Sequence, residues 1–303
     1  MRKRNNEEFD KEISWKWVVA SCLCVLVLTI GCIWFIADVV KKNAIQKEYE
    51  DLSKKMQQVA VEKVDENEVE DKEAVEGEIS ESQAGVDESE DQDDNEEIEE
   101  TEEESLEIVD PYEKIVDFDM LHGSVDSNIH AWIYIPGTKV DYPVLQHLTD
   151  NSYYLNHNLN GKEGYPGCIY TESYNSKEFQ DFNTVIYGHN MKNDTMFGGL
   201  EKFLNTQYLE EHPQVYVYLP DKMNVYEIFA IYEYSDEHLL VGKNFVSSYV
   251  VKSYLDDAKV AATNSGIWNS DIVVTKDSKI ITLSTCISGK DDKRLLLQAV
   301  LKE

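Results

Sequence analysis

Three regimes of polarity run along this 303-residue chain. Residues 17–37 are 21 consecutive positions without a charge, about the length a helix needs to cross a bilayer. Residues 38–109 are dominated by charged side chains with sparse apolar ones. From residue 110 onward, short β-branched and aromatic runs alternate with turn residues. In that last regime the pattern predicts strands at 132–135, 140–145, 168–171, 184–187, 215–219, 225–234, 279–285 and 295–301. Helical stretches are expected at 196–211 and 245–262, with a helical turn at 150–155. In 245–262, Val246, Val250, Tyr254 and Ala258 recur every four residues, as one helix face would. Asp110 as N-cap, Pro111 at N1 and Glu113 at N3 predict a short helix reaching about Leu121. About eight short strands interrupted by a few helices predict a mainly β fold, a closed or nearly closed barrel. Periodicity does not set the strand order.

Charge sharpens the division. The net charge is −31, and residues 61–110 hold 25 Asp or Glu against Lys63 and Lys72, which is −23 of that total. Such a stretch, without aromatics, has too little apolar surface to offset its ordering entropy. It predicts a disordered, self-repelling acidic linker. Roughly 60 flexible residues span about 45 Å r.m.s., and more under self-repulsion. The acidity argues against a nucleic-acid partner, which needs clustered Lys and Arg.

The apolar run predicts a transmembrane helix over 17–37. Trp15, Trp17 and Trp34 lie near its ends, where interfacial aromatics are common. Arg2, Lys3, Arg4, Lys11 and Lys16 precede it, against Lys41, Lys42 and Lys47 after it. That bias places residues 1–16 in the cytoplasm and the rest outside. A cleaved signal peptide fits less well, because the run is too long for an h-region and no A-x-A-like site follows. Lipidation at Cys32 fits less well too, because apolar residues continue past it. The expected layout is therefore a cytoplasmic N-terminus (1–16), a span (17–37), a charged, mostly disordered linker (38–109) and a folded domain (110–303). After the span the chain can continue as a helix to about Val64, with Ile45, Leu52 and Met56 on a partial stripe.

Of five cysteines, Cys22, Cys24 and Cys32 fall in the apolar run, leaving Cys168 and Cys286 in the folded part. There is no CxxC pair, the histidines lack ligand-like spacing, and no EF-hand-like run occurs, so no metal or other cofactor is expected. Two strand-like runs end in reactive residue types. One is Ile280-Ile281-Thr282-Leu283-Ser284-Thr285-Cys286, with Arg294 eight positions on; the other ends Tyr187-Gly188-His189-Asn190-Met191. Cys, His and Arg at strand ends are the parts of thiol-based acyl transfer. Each also has a plainer reading: a small buried hydrophobe, a surface histidine, a strand-edge charge. Cys168 reads as structural, and His122, His130, His147, His157, His212 and His238 have no local context that singles them out.

Together these segments resemble the sortase family, class B most closely, over roughly residues 111–303. Trp132-Ile133-Tyr134-Ile135-Pro136-Gly137-Thr138, Asp141-Tyr142-Pro143-Val144 and Asn151-Ser152-Tyr153-Tyr154-Leu155-Asn156-His157 resemble the class B pattern, in order. Ile287-Ser288-Gly289-Lys290 departs from it, lacking the aromatic and acidic residues that often follow the cysteine. The resemblance implies an eight-stranded barrel with an N-terminal helix and a long helix between the sixth and seventh strands. It implies a membrane-anchored cysteine transpeptidase on the outer face of a Gram-positive-type cell. Such an enzyme cleaves a C-terminal sorting signal of Asn-Pro-x-Thr-Asn type through a thioacyl intermediate. It then passes the protein to a peptidoglycan or pilin amine. By the same resemblance Cys286 is a free thiol and the nucleophile, His189 the general acid/base, and Arg294 the oxyanion- and substrate-stabilising group. Ser284, Thr285 and Tyr187 would line the substrate groove. Two rivals stand beside this reading: another extracellular thiol peptidase or L,D-transpeptidase, and a non-catalytic β-domain that binds wall polymer or protein.

Overall fold

The computed structural model describes residues 2–72 and 109–302. The N-terminal part is one helix, α1 (Arg2–Lys72). Its stretch Trp17–Met56 contains an 18-residue window of mean hydropathy 2.6, long and apolar enough to cross a membrane by length and composition. Over residues 17–37 the apolar side chains are exposed, including Leu28, Ile33 and Trp34. A soluble helix buries one stripe, whereas a helix apolar on every side suits lipid. The helix persists eight residues past the expected limit at Val64. Spaced pairs such as Lys42 with Asp38, 2.7 Å, support its earlier polar part. The expected disorder over 73–108 lies outside the described residues.

The C-terminal part is a sheet with helices inserted. Its strands are β1 (Ile129–Tyr134), β2 (Asp141–Leu145), β3 (Ile169–Thr171), β4 (Asn183–Tyr187), β5 (Gln214–Leu219), β6 (Lys222–Ser235), β7 (Ile267–Trp268), β8 (Ile280–Ile287) and β9 (Lys290–Leu301). Eight of them form a ring in the order β5-β1-β2-β3-β4-β8-β9-β6, closed by pairing of β6 with β5. This is the expected closed eight-stranded barrel. The two-residue β7 pairs outside the ring with Ala230 and Ile231 of β6, and is too short to leave a periodic signature. The pairs β2–β3 and β4–β8 are parallel, and the other ring pairs antiparallel.

Three expected helices are corrected. The first begins later, as α2 (Phe118–Ser124). Asp110 and Pro111 close only a turn, in which Asp110 Oδ1 accepts the Tyr112 N–H. The cap is Asp117, whose Oδ1 accepts the Met120 N–H at 2.8 Å while Phe118 and Leu121 are buried. The stretch 196–211 splits into a 3-10 helix, Gly198–Leu204, and α4 (Thr206–Glu211), after the single turn α3 (Tyr153–Asn156). Asn205 makes the break: its side chain accepts the N–H groups of Gln207 and Tyr208 and starts a new helix. The last helix, α5 (Ser248–Ser265), buries Val251, Tyr254, Ala258 and Ala262. Val246 precedes the helix and is 93% exposed, so the expected face is rotated by one position at its start.

That face packs on a core of Val185, Phe229, Tyr232, Ile280 and Leu296, at about 1.5–3 kcal/mol per large apolar side chain buried. Inside this core is a polar knot. The Tyr254 hydroxyl accepts from Asn183 Nδ2 (3.0 Å) and Gln298 Nε2 (2.6 Å), and the Thr282 hydroxyl donates to Asn183 Oδ1 (2.8 Å). Its members come from β4, β8, β9 and α5, so it sets how the helix sits on the three strands that carry the candidate site.

Candidate active site

Strands β4 and β8 run parallel, with Tyr187 level with Ser284. β4 ends at Tyr187 while β8 runs on from Ser284 to Ile287, and both head toward the same rim. His189 lies two residues beyond Tyr187, and Cys286 two beyond Ser284. Antiparallel β9 places Arg294 as the Cα partner of Cys286. Cys, His and Arg, distant in sequence, thus meet at one end of three adjacent strands.

Local contacts hold this rim. The Gly188 N–H donates to Ser284 O at 3.1 Å and extends the β4–β8 ladder. A Cβ at Gly188 would lie 2.5 Å from Ile169 Cδ1 and 2.7 Å from Phe197 Cδ2, so a side chain there would push the strands apart. Asn190 Nδ2 donates to Cys286 O (2.9 Å) and to Glu201 Oε1 (3.1 Å), tying the histidine loop to the cysteine strand.

Cys286 is an exposed free thiol. Cys168 is buried, its Sγ donating to His157 O at 3.2 Å, as expected of a structural cysteine. His189 is half-buried, with the Tyr165 ring edge-on at 4.7 Å. Its Nε2 lies 3.0 Å from Leu155 O. A carbonyl only accepts, so Nε2 carries the hydrogen and Nδ1 is the basic nitrogen of the neutral ring. Desolvation by burial holds the His189 pKa below its ordinary value, outweighing the opposing bond to Leu155. Arg294 Nη1 donates to Asp291 O (3.0 Å) and Lys293 O (2.8 Å). Its other N–H groups bond to nothing among the described residues.

A cavity of about 380 Å³ opens here. It is lined by all six residues the sequence singled out: Cys286, His189, Arg294, Ser284, Thr285 and Tyr187. Ser284 and Thr285 are buried, and the Thr285 hydroxyl has no hydrogen-bond partner. Tyr187 stacks on Tyr170 at 5.4 Å and donates to Glu172 Oε2 at 3.3 Å. Burial, followed by the Glu172 charge, raises the Tyr187 pKa and keeps the phenol protonated. The far wall comes from the segment after β6, including His238 and Leu239. Sequence reasoning passed over Glu172, His238 and Asn190. Nothing local marks the first two, and Asn190 stood out only as a neighbour of His189.

A free exposed thiol, a neutral imidazole and a guanidinium around one cavity suit attack on an amide carbonyl. Residues 133–302, more than half the chain, match the family model described as the sortase domain. The chain belongs to the sortase family. It is 36% identical to sortase B of Listeria monocytogenes over 180 residues, covering 58% of this chain and 71% of that protein. Against sortase B of Staphylococcus aureus it is 29% identical over 179 residues, covering 58% and 70%. The structure of a Staphylococcus aureus sortase B–substrate complex superposes with TM-score 0.55 at 28% identity, over 61% of this chain and 84% of that one. Sortase B of Clostridium perfringens superposes with TM-score 0.53 at 28% identity, over 61% and 98%. This sortase is thus an enzyme of the cysteine transpeptidase type with class B relatives. Family membership sets aside the non-sortase thiol enzymes and the binding module.

Proposed function

We propose that this sortase is anchored through residues 17–37 with its N-terminus in the cytoplasm, and works outside the cell on proteins bearing a C-terminal sorting signal of Asn-Pro-x-Thr-Asn type. The observation that carries the chemistry is the convergence of Cys286, His189 and Arg294 on one cavity through β4, β8 and β9.

The basic Nδ1 of His189 takes the Cys286 proton, giving thiolate and imidazolium. The thiolate attacks the Thr carbonyl carbon of the signal. The spare N–H groups of Arg294 stabilise the oxyanion of the tetrahedral intermediate. As the C–N bond breaks, the imidazolium protonates the leaving amine, and the acyl group remains on Cys286 as a thioester. A peptidoglycan or pilin amine then attacks the thioester and gives its proton to His189, and the thiolate departs. Burial that lowers the histidine pKa keeps the resting ring neutral and makes the imidazolium a stronger acid toward the leaving group. The orphaned Thr285 hydroxyl and the buried Ser284 suit contacts to the substrate backbone. No metal takes part in this scheme.

The test is intact-mass spectrometry of the full-length chain in detergent, incubated with a panel of sorting peptides with and without an amine. An acyl adduct on wild type, absent in Cys286→Ala and discharged by amine, is expected. Cleavage that persists in Cys286→Ala would refute the mechanism.

A further inference from the structure

Three acidic residues line the cavity, Glu172, Asp236 and Glu237; the proposed reaction uses none of them, and Glu172 is the mostly buried one. Glu172 follows β3 directly, and its side chain is only 14% exposed. Oε2 is held by two donors, His238 Nε2 at 2.7 Å and the Tyr187 hydroxyl at 3.3 Å. His238 Nδ1 accepts the backbone N–H groups of Leu240 and Val241, each at 3.1 Å, which leaves Nε2 as the nitrogen that donates to the carboxylate. Burial keeps the Tyr187 phenol protonated. Both partners therefore orient the carboxylate by donating to the same oxygen.

Among the described residues, no Lys or Arg pairs with Glu172, and its Oε1 makes no hydrogen bond. Arg294 is the cavity's Lys or Arg, and its Nη1 is engaged by two carbonyls. A mostly buried carboxylate without a cation is costly unless one arrives. What enters this cavity is substrate.

We propose that Glu172 is a specificity determinant that receives a positively charged group, alkylammonium or guanidinium, carried by the substrate. The inference rests on the transpeptidase reading above. The cation has two possible sources, the variable residue of the sorting signal and the acceptor amine, and the experiment separates them.

The full-length chain in detergent is acylated with Asn-Pro-x-Thr-Asn peptides in which x is Lys, norleucine or Glu, all below saturation. The thioester is then discharged with cadaverine or with pentylamine. In one of the two arms the cationic member should react faster by about tenfold, the discrimination of a charge-assisted hydrogen bond. In the first arm the Glu peptide should be slowest. Glu172→Gln should collapse the preference, and Glu172→Asp, which keeps the charge, should retain part of it. Replacing the exposed rim acids together, Asp236→Asn with Glu237→Gln, should leave it in place. Flat rates in both arms of the wild type would overturn the inference while leaving the transpeptidase standing. So would a preference that survives Glu172→Gln. Failure of every peptide to acylate Cys286 would overturn the proposed function, and this inference with it.

Discussion

Asn190 offers a direct test of how the rim is held together. Its side-chain amide joins the loop carrying His189 to the backbone carbonyl of Cys286 at 2.9 Å, and to Glu201 at 3.1 Å. Asn190→Ala removes both bonds without touching either proposed catalytic group. Each bond contributes about 0.5–1.5 kcal/mol net in a partly exposed setting, so together roughly 1–3 kcal/mol of loop positioning is lost. If that positioning is needed in the transition state, the acylation rate constant should fall by about 5- to 150-fold. Asn190→Asp keeps the shape but points carboxylate oxygens at the Cys286 carbonyl and the Glu201 carboxylate. Its loss should exceed that of the alanine variant. The assay is single-turnover acylation by rapid quench and intact mass, with thermal melting as a control for global damage. An alanine variant within twofold of wild type, or an aspartate variant milder than alanine, would refute the argument that this amide sets the geometry.

Other expectations follow from named groups. Cys286→Ala should show no acyl adduct, His189→Ala should lose nearly all cleavage and transfer, and Arg294→Ala should be severely impaired with an unchanged melting curve. Turnover of sorting peptides together with melting checks all three. Tyr254→Phe strips the acceptor from Asn183 Nδ2 inside the core under α5. It should cost roughly 1–3 kcal/mol, or about 4–8 °C of Tm for a 2 kcal/mol loss, and a variant within 0.5 kcal/mol of wild type would contradict the packing account. His130 is buried and its pKa is pushed down to about 4, chiefly by desolvation. The unfolded chain then binds more protons than the folded one between about pH 6.5 and 4. Stability should therefore be fully present above the unfolded value and fall with acidification through that window, by roughly 3 kcal/mol from this group. Denaturant titrations at stepped pH should show a flatter dependence for His130→Gln, and identical slopes would remove His130 as the cause.

The sequence by itself determined the strands, because period-two runs of Val, Ile, Tyr and Leu have few other ways to bury one face. It determined an apolar helix of membrane-spanning length. Through motifs at the ends of two strands, it also determined which cysteine, histidine and arginine to compare. Local pattern states which face a residue prefers, but not which partner it meets. The start of α2 at Asp117, the rotated face of α5 and the extra pairing of β7 depended on caps and neighbours that short-range periodicity does not encode. The tertiary structure alone decided that β4 lies parallel beside β8, and so brought Asn190 to Cys286 across 96 residues. It likewise set His238 against Glu172 across 66. In each case the partner is supplied by closure of the barrel, a condition on the whole chain. A histidine with no local distinction can therefore end up orienting a carboxylate in the cavity beside the cysteine.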